Sequence, residues 1–153
     1  MIRIHLPQKS LDLAGEMAAI HALGSGAVAS FTGTARADDH AGQTVTAIEL
    51  EHYPAMTSAA LQALAETAMQ RWPLAACCII HRTGIIPVGD AIVLVAAASS
   101  HRVAALESCS FLIDRLKTDA PFWKKEYYDN GSARWVEAKA ADTARAQDWN
   151  IRS

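Results

Sequence analysis

Lys117 and Lys124 flank the segment Pro121-Phe122-Trp123, and Lys125 follows directly. Lysine is the side chain whose pKa falls most usefully when it is desolvated or placed near other cations, which gives a base or nucleophile near neutral pH. A lone lysine is ordinarily a solvated surface group. The apolar Pro-Phe-Trp wall beside this cluster is what points to proton-transfer chemistry. Upstream, His101-Arg102 follows an apolar run. At a helix N-terminus such a pair can clamp an anion, with Arg holding a phosphate by two bonds. The plainer alternative is two polar residues on an exposed first turn. Arg36, at the end of a glycine-containing strand, has the same two readings: facing a site, or surface.

His101 and Lys117 are 16 positions apart. On an unbroken helix that is about 24 Å, so the two cannot meet across one small substrate. Either they are unrelated, or the helix breaks, or a second copy of the chain brings its His101-Arg102 to the lysines of the first.

Other constellations carry less. Glu49 and Glu51 share a strand face at about 7 Å, a spacing that overlaps the carboxylate pair of inverting glycosidases, yet this pattern is common on solvated strands. Asp38-Asp39-His40 lacks neighbours to complete a metal site and reads as a solvated loop. His81-Arg82 reads as a strand end. Cys77-Cys78 and Cys109 lie in apolar segments and read as core, since a reactive thiol wants an exposed, electropositive setting. The chain has no CxxC, no Gly-rich phosphate loop and no G-x-S-x-G.

The chain has 153 residues, 51% of them hydrophobic and 20% charged, with a formal net charge of −2. This suits one domain, residues 1–153, with a proper core. No global basic field exists, so nucleic acid is not the expected partner. No apolar run reaches the length of a membrane span, the N-terminus lacks a signal-peptide core, and three cysteines make no disulfide framework. A cytoplasmic location is expected.

The elements that would position the candidates alternate along the chain. Met1–Leu6 predicts a strand. A helix follows with Ser10 as N-cap, Asp12 in its first turn, and Leu13, Met17 and Ile20 on one face, stopping at Gly24. Residues 26–35 and 44–53 predict strands with a loop at 37–43 between them. Pro54 opens a helix that buries Leu61, Leu64, Ala68 and Trp72. Ala75–His81 is a short apolar strand. Gly84 to Asp90 reads as a hairpin connection to Ala91–Ala98, which is apolar on both faces as a central covered strand should be. Ser99 or Ser100 caps the next helix, with Val103, Leu106, Ile113 and Leu116 on its apolar face and Pro121 beyond its end. Residues 122–128 predict a strand with Lys124 and Glu126 on one face and Trp123 and Lys125 on the other. Asn130-Gly131 turns into a short strand near 134–136, and the tail from about 140 to 153 has helical composition. The fold class is α/β or α+β.

Five segments in order carry a resemblance: GAVASFTGTAR at 26–36, LEHYPAM at 50–56, His81-Arg82-Thr-Gly84 with Gly89-Asp90, Ser100-His101-Arg102, and LKTDAPFWKKE at 116–126, followed by Trp135-Val136-Glu137-Ala138. Together they resemble the large, catalytic subunit of molybdopterin synthase over nearly the whole chain. Ala35 stands where that family usually has valine. Lys139 stands where a basic residue, often arginine, is found; it keeps the charge but not the bidentate fork.

The resemblance implies an α/β hammerhead-type single domain with a small additional antiparallel β subdomain. It implies a sulfurtransferase that works as a homodimer, and as a heterotetramer with a small ubiquitin-like sulfur carrier. Two sulfurs pass from the carrier's C-terminal Gly-Gly thiocarboxylate to cyclic pyranopterin monophosphate, with no metal or organic cofactor. It implies catalytic roles for Lys117 and Lys124, binding of phosphate and pterin by Arg36, His101, Arg102, Phe31 and Lys139, and support from Glu126 and Lys125. The alternatives are a non-catalytic pterin- or phosphate-binding protein and a scaffold for a ubiquitin-like partner.

Overall fold

The computed structural model describes residues 1–137 and 140–152. In chain order its elements are β1 (Ile2–His5), α1 (Leu13–His21), β2 (Ala27–Thr34), β3 (Asp39–His40), β4 (Gln43–His52), α2 (Pro54–Arg71), β5 (Leu74–His81), β6 (Gly84–Pro87), β7 (Ala91–Ser99), α3 (Arg102–Asp119), β8 (Phe122–Tyr128), β9 (Ala133–Val136) and α4 (Ala140–Ile151). Lys139 lies outside the described residues.

Two sheets result. The first has the order β1-β5-β7-β2, with β1 parallel to β5 and the other pairs antiparallel. Alternation along its strands divides the core in two. Cys77, Ile79, Val95 and Ala97 face α2 and α3 together with Leu61, Ala68 and Leu112. Cys78, Ile80, Leu94 and Ala96 face α1 through Ile20. Both faces of β7 are therefore covered, which is why its sequence is apolar throughout. The second sheet runs β3-β4-β8-β9, with β6 added on β4. Its inner face contributes Val45, Ile48, Leu50, Ile86 and Tyr128 to a third cluster.

Several local expectations change. Asp12, not Ser10, caps α1: its carboxylate accepts from the Gly15 N–H at 2.9 Å. Neither Ser99 nor Ser100 caps α3. The N-cap is His101 without a side-chain bond, while the Ser99 hydroxyl donates to the Pro73 carbonyl at 2.7 Å and accepts from the His101 N–H at 3.1 Å. On α3 the expected apolar face holds at Leu116, which is buried, and at Ile113, which packs against the core, but not in the first half of the helix. Val103 and Leu106 are 63% and 58% exposed, and Ala104, Ala105, Cys109 and Leu112 face the core. The inward side is small in the first half of the helix, with Ala104, Ala105, Ser108 and Cys109, and large beyond it, with Phe111, Leu112 and Leu116. Two short strands, β3 and β6, occupy segments expected to be a loop and a hairpin connection. Gly84 and Gly89 take positive φ values of 77° and 94° at the two ends of the β6 excursion, which glycine accommodates without strain.

The tail forms α4 and docks on α3. Trp149 is 7% exposed, and its ring meets Phe111 edge-on at 5.6 Å. Its indole N–H donates to Asp114 at 2.8 Å, and Arg145 donates to the same carboxylate at 3.0 and 3.2 Å. Burial would raise the Asp114 pKa, but these hydrogen bonds and the Arg145 charge outweigh it and hold the pKa below the ordinary carboxylate value. A depressed folded-state pKa contributes stability above the unfolded pKa and loses it as pH falls through the folded value. The α4 contact is therefore expected to hold at neutral pH and to weaken in acid, below about pH 4. Asp114→Asn is expected to cost about 1–2 kcal/mol at pH 7 and to flatten that acid dependence, read from Trp fluorescence during urea titrations at several pH values.

All three cysteines are buried and unpaired. Desolvation pushes the thiols up to about 12 for Cys77 and about 11 for Cys78 and Cys109. Among the described residues no helix is long and apolar enough to cross a membrane.

Candidate active site

Between the first sheet, the C-terminal end of α3 and the inner face of β4-β8 lies a cavity of about 690 Å³. This is within the range of small-molecule sites. A smaller cleft of about 240 Å³ lies between α3 and α4, next to Asp114 and Arg145. It holds neither Lys117 nor Lys124.

Lys117 and Lys124 both line the larger cavity, from different elements. Lys117 lies in the last turn of α3, and its Nζ is 4.0 Å from Asp142 on α4. Lys124 lies in β8, paired across the ladder with Leu50 on one side and Val136 on the other. Its Nζ is 3.8 Å from Glu126 Oε1. Period two places these two on one strand face, as expected. Glu126 is only 4% exposed and is held from two further directions. Its Oε2 accepts from the Tyr128 hydroxyl at 2.9 Å and lies 3.4 Å from His40 Nε2. A buried carboxylate with three partners is a rigid anchor for the ammonium beside it.

Phe31 and Arg36 also line the cavity. Phe31 is on β2, the edge strand of the first sheet, and is 39% exposed. Gly33, two residues on, lies close to β7: a Cβ there would come within 2.9 Å of Val93. Arg36 follows the strand and donates to Asp38 at 3.3 Å, leaving most of its guanidinium open. Of the Pro-Phe-Trp wall only Phe122 faces the cavity. Trp123 lies on the opposite face against Tyr53, with ring centroids 5.2 Å apart. Lys125 is on that outer face too, over Tyr127 and Trp135 at 5.5 and 5.4 Å.

His101 and Arg102 do not line the cavity. They sit at the far end of α3, which runs unbroken from Arg102 to Asp119. The rise of the helix therefore puts Lys117 and His101 about 24 Å apart along its axis.

The remaining candidates take structural places. Glu49 accepts from the Tyr127 hydroxyl at 2.8 Å and stands opposite Lys125 on the outer face of the second sheet, with Glu51 opposite Trp123. Asp38 pairs with Arg36, and His40 turns to Glu126 rather than to a shared ligand. Arg82 is buried and ion-paired to Asp90 at 2.8 Å.

Two cavity contributors, Asp142 and His81, have no site role in the sequence reading. Asp142 arrives through a contact that no local pattern signals, as does His40, which does not line the cavity but stands against Glu126. His81 could have been found: at period two it shares the inward face of Cys77 and Ile79.

The arrangement can place two ammonium groups and a guanidinium around an anionic small molecule, with apolar walls from Phe31, Phe122 and Leu116. It is suited to proton transfer at a substrate bearing negative charge.

Comparison with known proteins agrees along the whole chain. The family described as MoaE protein matches residues 6–119. A molybdopterin synthase catalytic subunit of Mesorhizobium japonicum is 46% identical over 98% of this chain and 94% of that one. The solved structure of a molybdopterin biosynthesis MoaE protein from Burkholderia ambifaria aligns with a TM-score of 0.82 at 44% identity, covering 98% of this chain and 99% of that one. Molybdopterin synthase from Staphylococcus aureus aligns with a TM-score of 0.78 at 27% identity, covering 88% and 96%. Both the family match and the extent of these similarities place the chain: it belongs to the MoaE protein family.

Proposed function

We propose that the chain is the catalytic subunit of a molybdopterin synthase. It takes the thiocarboxylated C-terminus of a small ubiquitin-like carrier and transfers sulfur, in two steps, to cyclic pyranopterin monophosphate to form the dithiolene. The observation that carries this reading is the convergence of Lys117 and Lys124, from a helix end and a strand, on one cavity with an anchored carboxylate beside Lys124.

In each step a carbon–sulfur bond forms on the substrate and a carbon–oxygen bond is lost. The carrier returns with a carboxylate in place of its thiocarboxylate. Protons must be delivered to the departing oxygen and taken from the water that frees the carrier. Lys117, held only loosely by Asp142, serves as the acid/base. Lys124, fixed by Glu126, stabilises developing negative charge. Arg36 and Phe31 hold the anionic and the flat parts of the substrate. His101 and Arg102 serve the cavity of a second copy in a homodimer, with Lys139 adding positive charge. A carrier on each copy completes a heterotetramer, and the complex works in the cytoplasm.

The test is reconstitution. The purified chain is mixed with thiocarboxylated carrier and cyclic pyranopterin monophosphate, and molybdopterin is followed as its oxidised fluorescent derivative. Product appears if the reading is right. A chain that binds the carrier yet makes no product would be a scaffold instead, and one that binds only the pterin would be a binding protein.

A further inference from the structure

His81 is the last residue of β5 and has no part in the mechanism above. Its imidazole lines the same cavity as Lys117 and Lys124. The ring stacks on Phe122, with centroids 4.1 Å apart and planes 19° from parallel. His52 meets the same phenyl ring at 6.0 Å. Together these contacts fix the plane of the imidazole.

The hydrogen bonding fixes its tautomer. Nδ1 lies 3.0 Å from the Arg82 carbonyl oxygen. A carbonyl oxygen only accepts, so Nδ1 carries the ring hydrogen and donates it. Burial, with a smaller push from His52, pulls the His81 pKa down to about 4. At neutral pH the ring is uncharged, and Nε2 is left as a lone pair. Among the described residues, the sealed side-chain atoms without a partner are Ser25 Oγ, Arg82 Nε and Thr83 Oγ1. Nε2 is not among them and makes no hydrogen bond among the described residues. It therefore looks onto open space, and the open space beside His81 is the cavity.

The cavity's cationic side chains, Lys117, Lys124 and Arg36, can only donate. Among its carboxylates Glu126 and Asp142 stand beside lysines and Asp38 beside Arg36, while Glu137 and the Thr32 and Thr34 hydroxyls lie elsewhere in the lining, so among the described residues His81 is the lining's one aromatic nitrogen acceptor. We propose that His81 is a ligand-binding residue whose Nε2 accepts a hydrogen bond from an N–H of the molecule bound beside Lys117 and Lys124. The inference rests on the reaction proposed above, which offers two donors of this kind: the ring and amino N–H groups of the pterin, and the glycine amides of the carrier tail.

The experiment uses the full chain and two probes, cyclic pyranopterin monophosphate alone and carrier with an ordinary carboxylate tail alone. His81→Phe keeps the stacked ring and removes both nitrogens. His81→Gln restores an acceptor near the Nε2 position. The expected result is that His81→Phe weakens one probe about tenfold, that His81→Gln recovers most of the loss, and that the other probe is unchanged. Which probe responds identifies the donor. In the wild-type chain, the ¹⁵N resonance of His81 Nε2 should shift when that same probe is added, a readout that needs no variant to fold.

A folded His81→Phe chain that binds both probes as wild type does would overturn the assignment. So would an Nε2 resonance indifferent to both. In either case wild-type product formation leaves the reaction itself standing. A wild-type chain that binds neither probe would overturn the reaction, and this assignment with it.

Discussion

Lys117→Ala is expected to lower molybdopterin formation by about 10²–10⁴-fold, the usual contribution of a positioned acid/base. Carrier binding should stay close to wild type. Lys117 is half exposed, and its nearest anion, Asp142, is 4.0 Å away. Little folding energy is tied to it, and the stability change should lie within about 0.5 kcal/mol. A loss of this size therefore reports chemistry rather than unfolding. Lys117→Arg should recover little, because a guanidinium stays charged and cannot pass a proton on at neutral pH. Lys124→Ala is expected to be comparably damaging for a different reason. Removing it leaves Glu126, which is 4% exposed, without its cation. That variant should therefore lose some stability as well as activity. Single-turnover product formation together with urea unfolding separates the two cases. Activity of Lys117→Ala within about tenfold of wild type would remove Lys117 from the acid/base role.

The second large effect concerns the unbroken α3. If His101 of one copy serves the lysines of another, a mixed dimer of Lys117→Ala and His101→Ala chains holds one site with both lesions and one site with neither. Such dimers, isolated with two affinity tags, are expected to show about half the wild-type activity, although each parent homodimer is nearly inactive. If each site is instead built within one chain, every site carries a lesion and the mixed dimer is as inactive as its parents. The expected difference between the outcomes is two orders of magnitude or more, so modest subunit exchange does not obscure it.

What could be read from the residues follows from how local each signal is. The apolar runs of β5 and β7 announce covered strands because burial on both faces removes every polar position. Pro54 and Pro73 bracket α2 because proline constrains its neighbours through covalent geometry. The side on which Lys124 and Glu126 fall follows from strand alternation alone, as does the outward placement of Lys125. By contrast, β6 is four residues of glycine, isoleucines and proline, and it becomes a strand only because β4 offers it a ladder. On α3 the inward side holds at Ile113 and Leu116, but in the first half of the helix it differs from the expected one, because Val103 and Leu106 are more apolar than the alanines that pack. How a helix docks decides which of its sides turns inward, and the spacing of its apolar residues alone does not encode that. Within the site, Lys117, Lys124, Glu126, Phe31 and Arg36 are brought to one cavity. The links of Asp142 to Lys117 and of His40 to Glu126 join different elements and arise only in the folded molecule.

The burial of Cys77, Cys78 and Cys109 bears on how sulfur travels. With thiol pKa values near 11 and 12, essentially no thiolate exists on this chain at neutral pH. In the proposed reaction, a carrier thiocarboxylate thus meets no cysteine thiolate here that could attack its carbonyl and divert the carrier into a thioester on this chain. On that reading the sulfur atom is expected to pass from donor to acceptor without ever belonging to the catalyst. A heavy sulfur isotope fed through the carrier would mark the product and leave this chain isotopically blank.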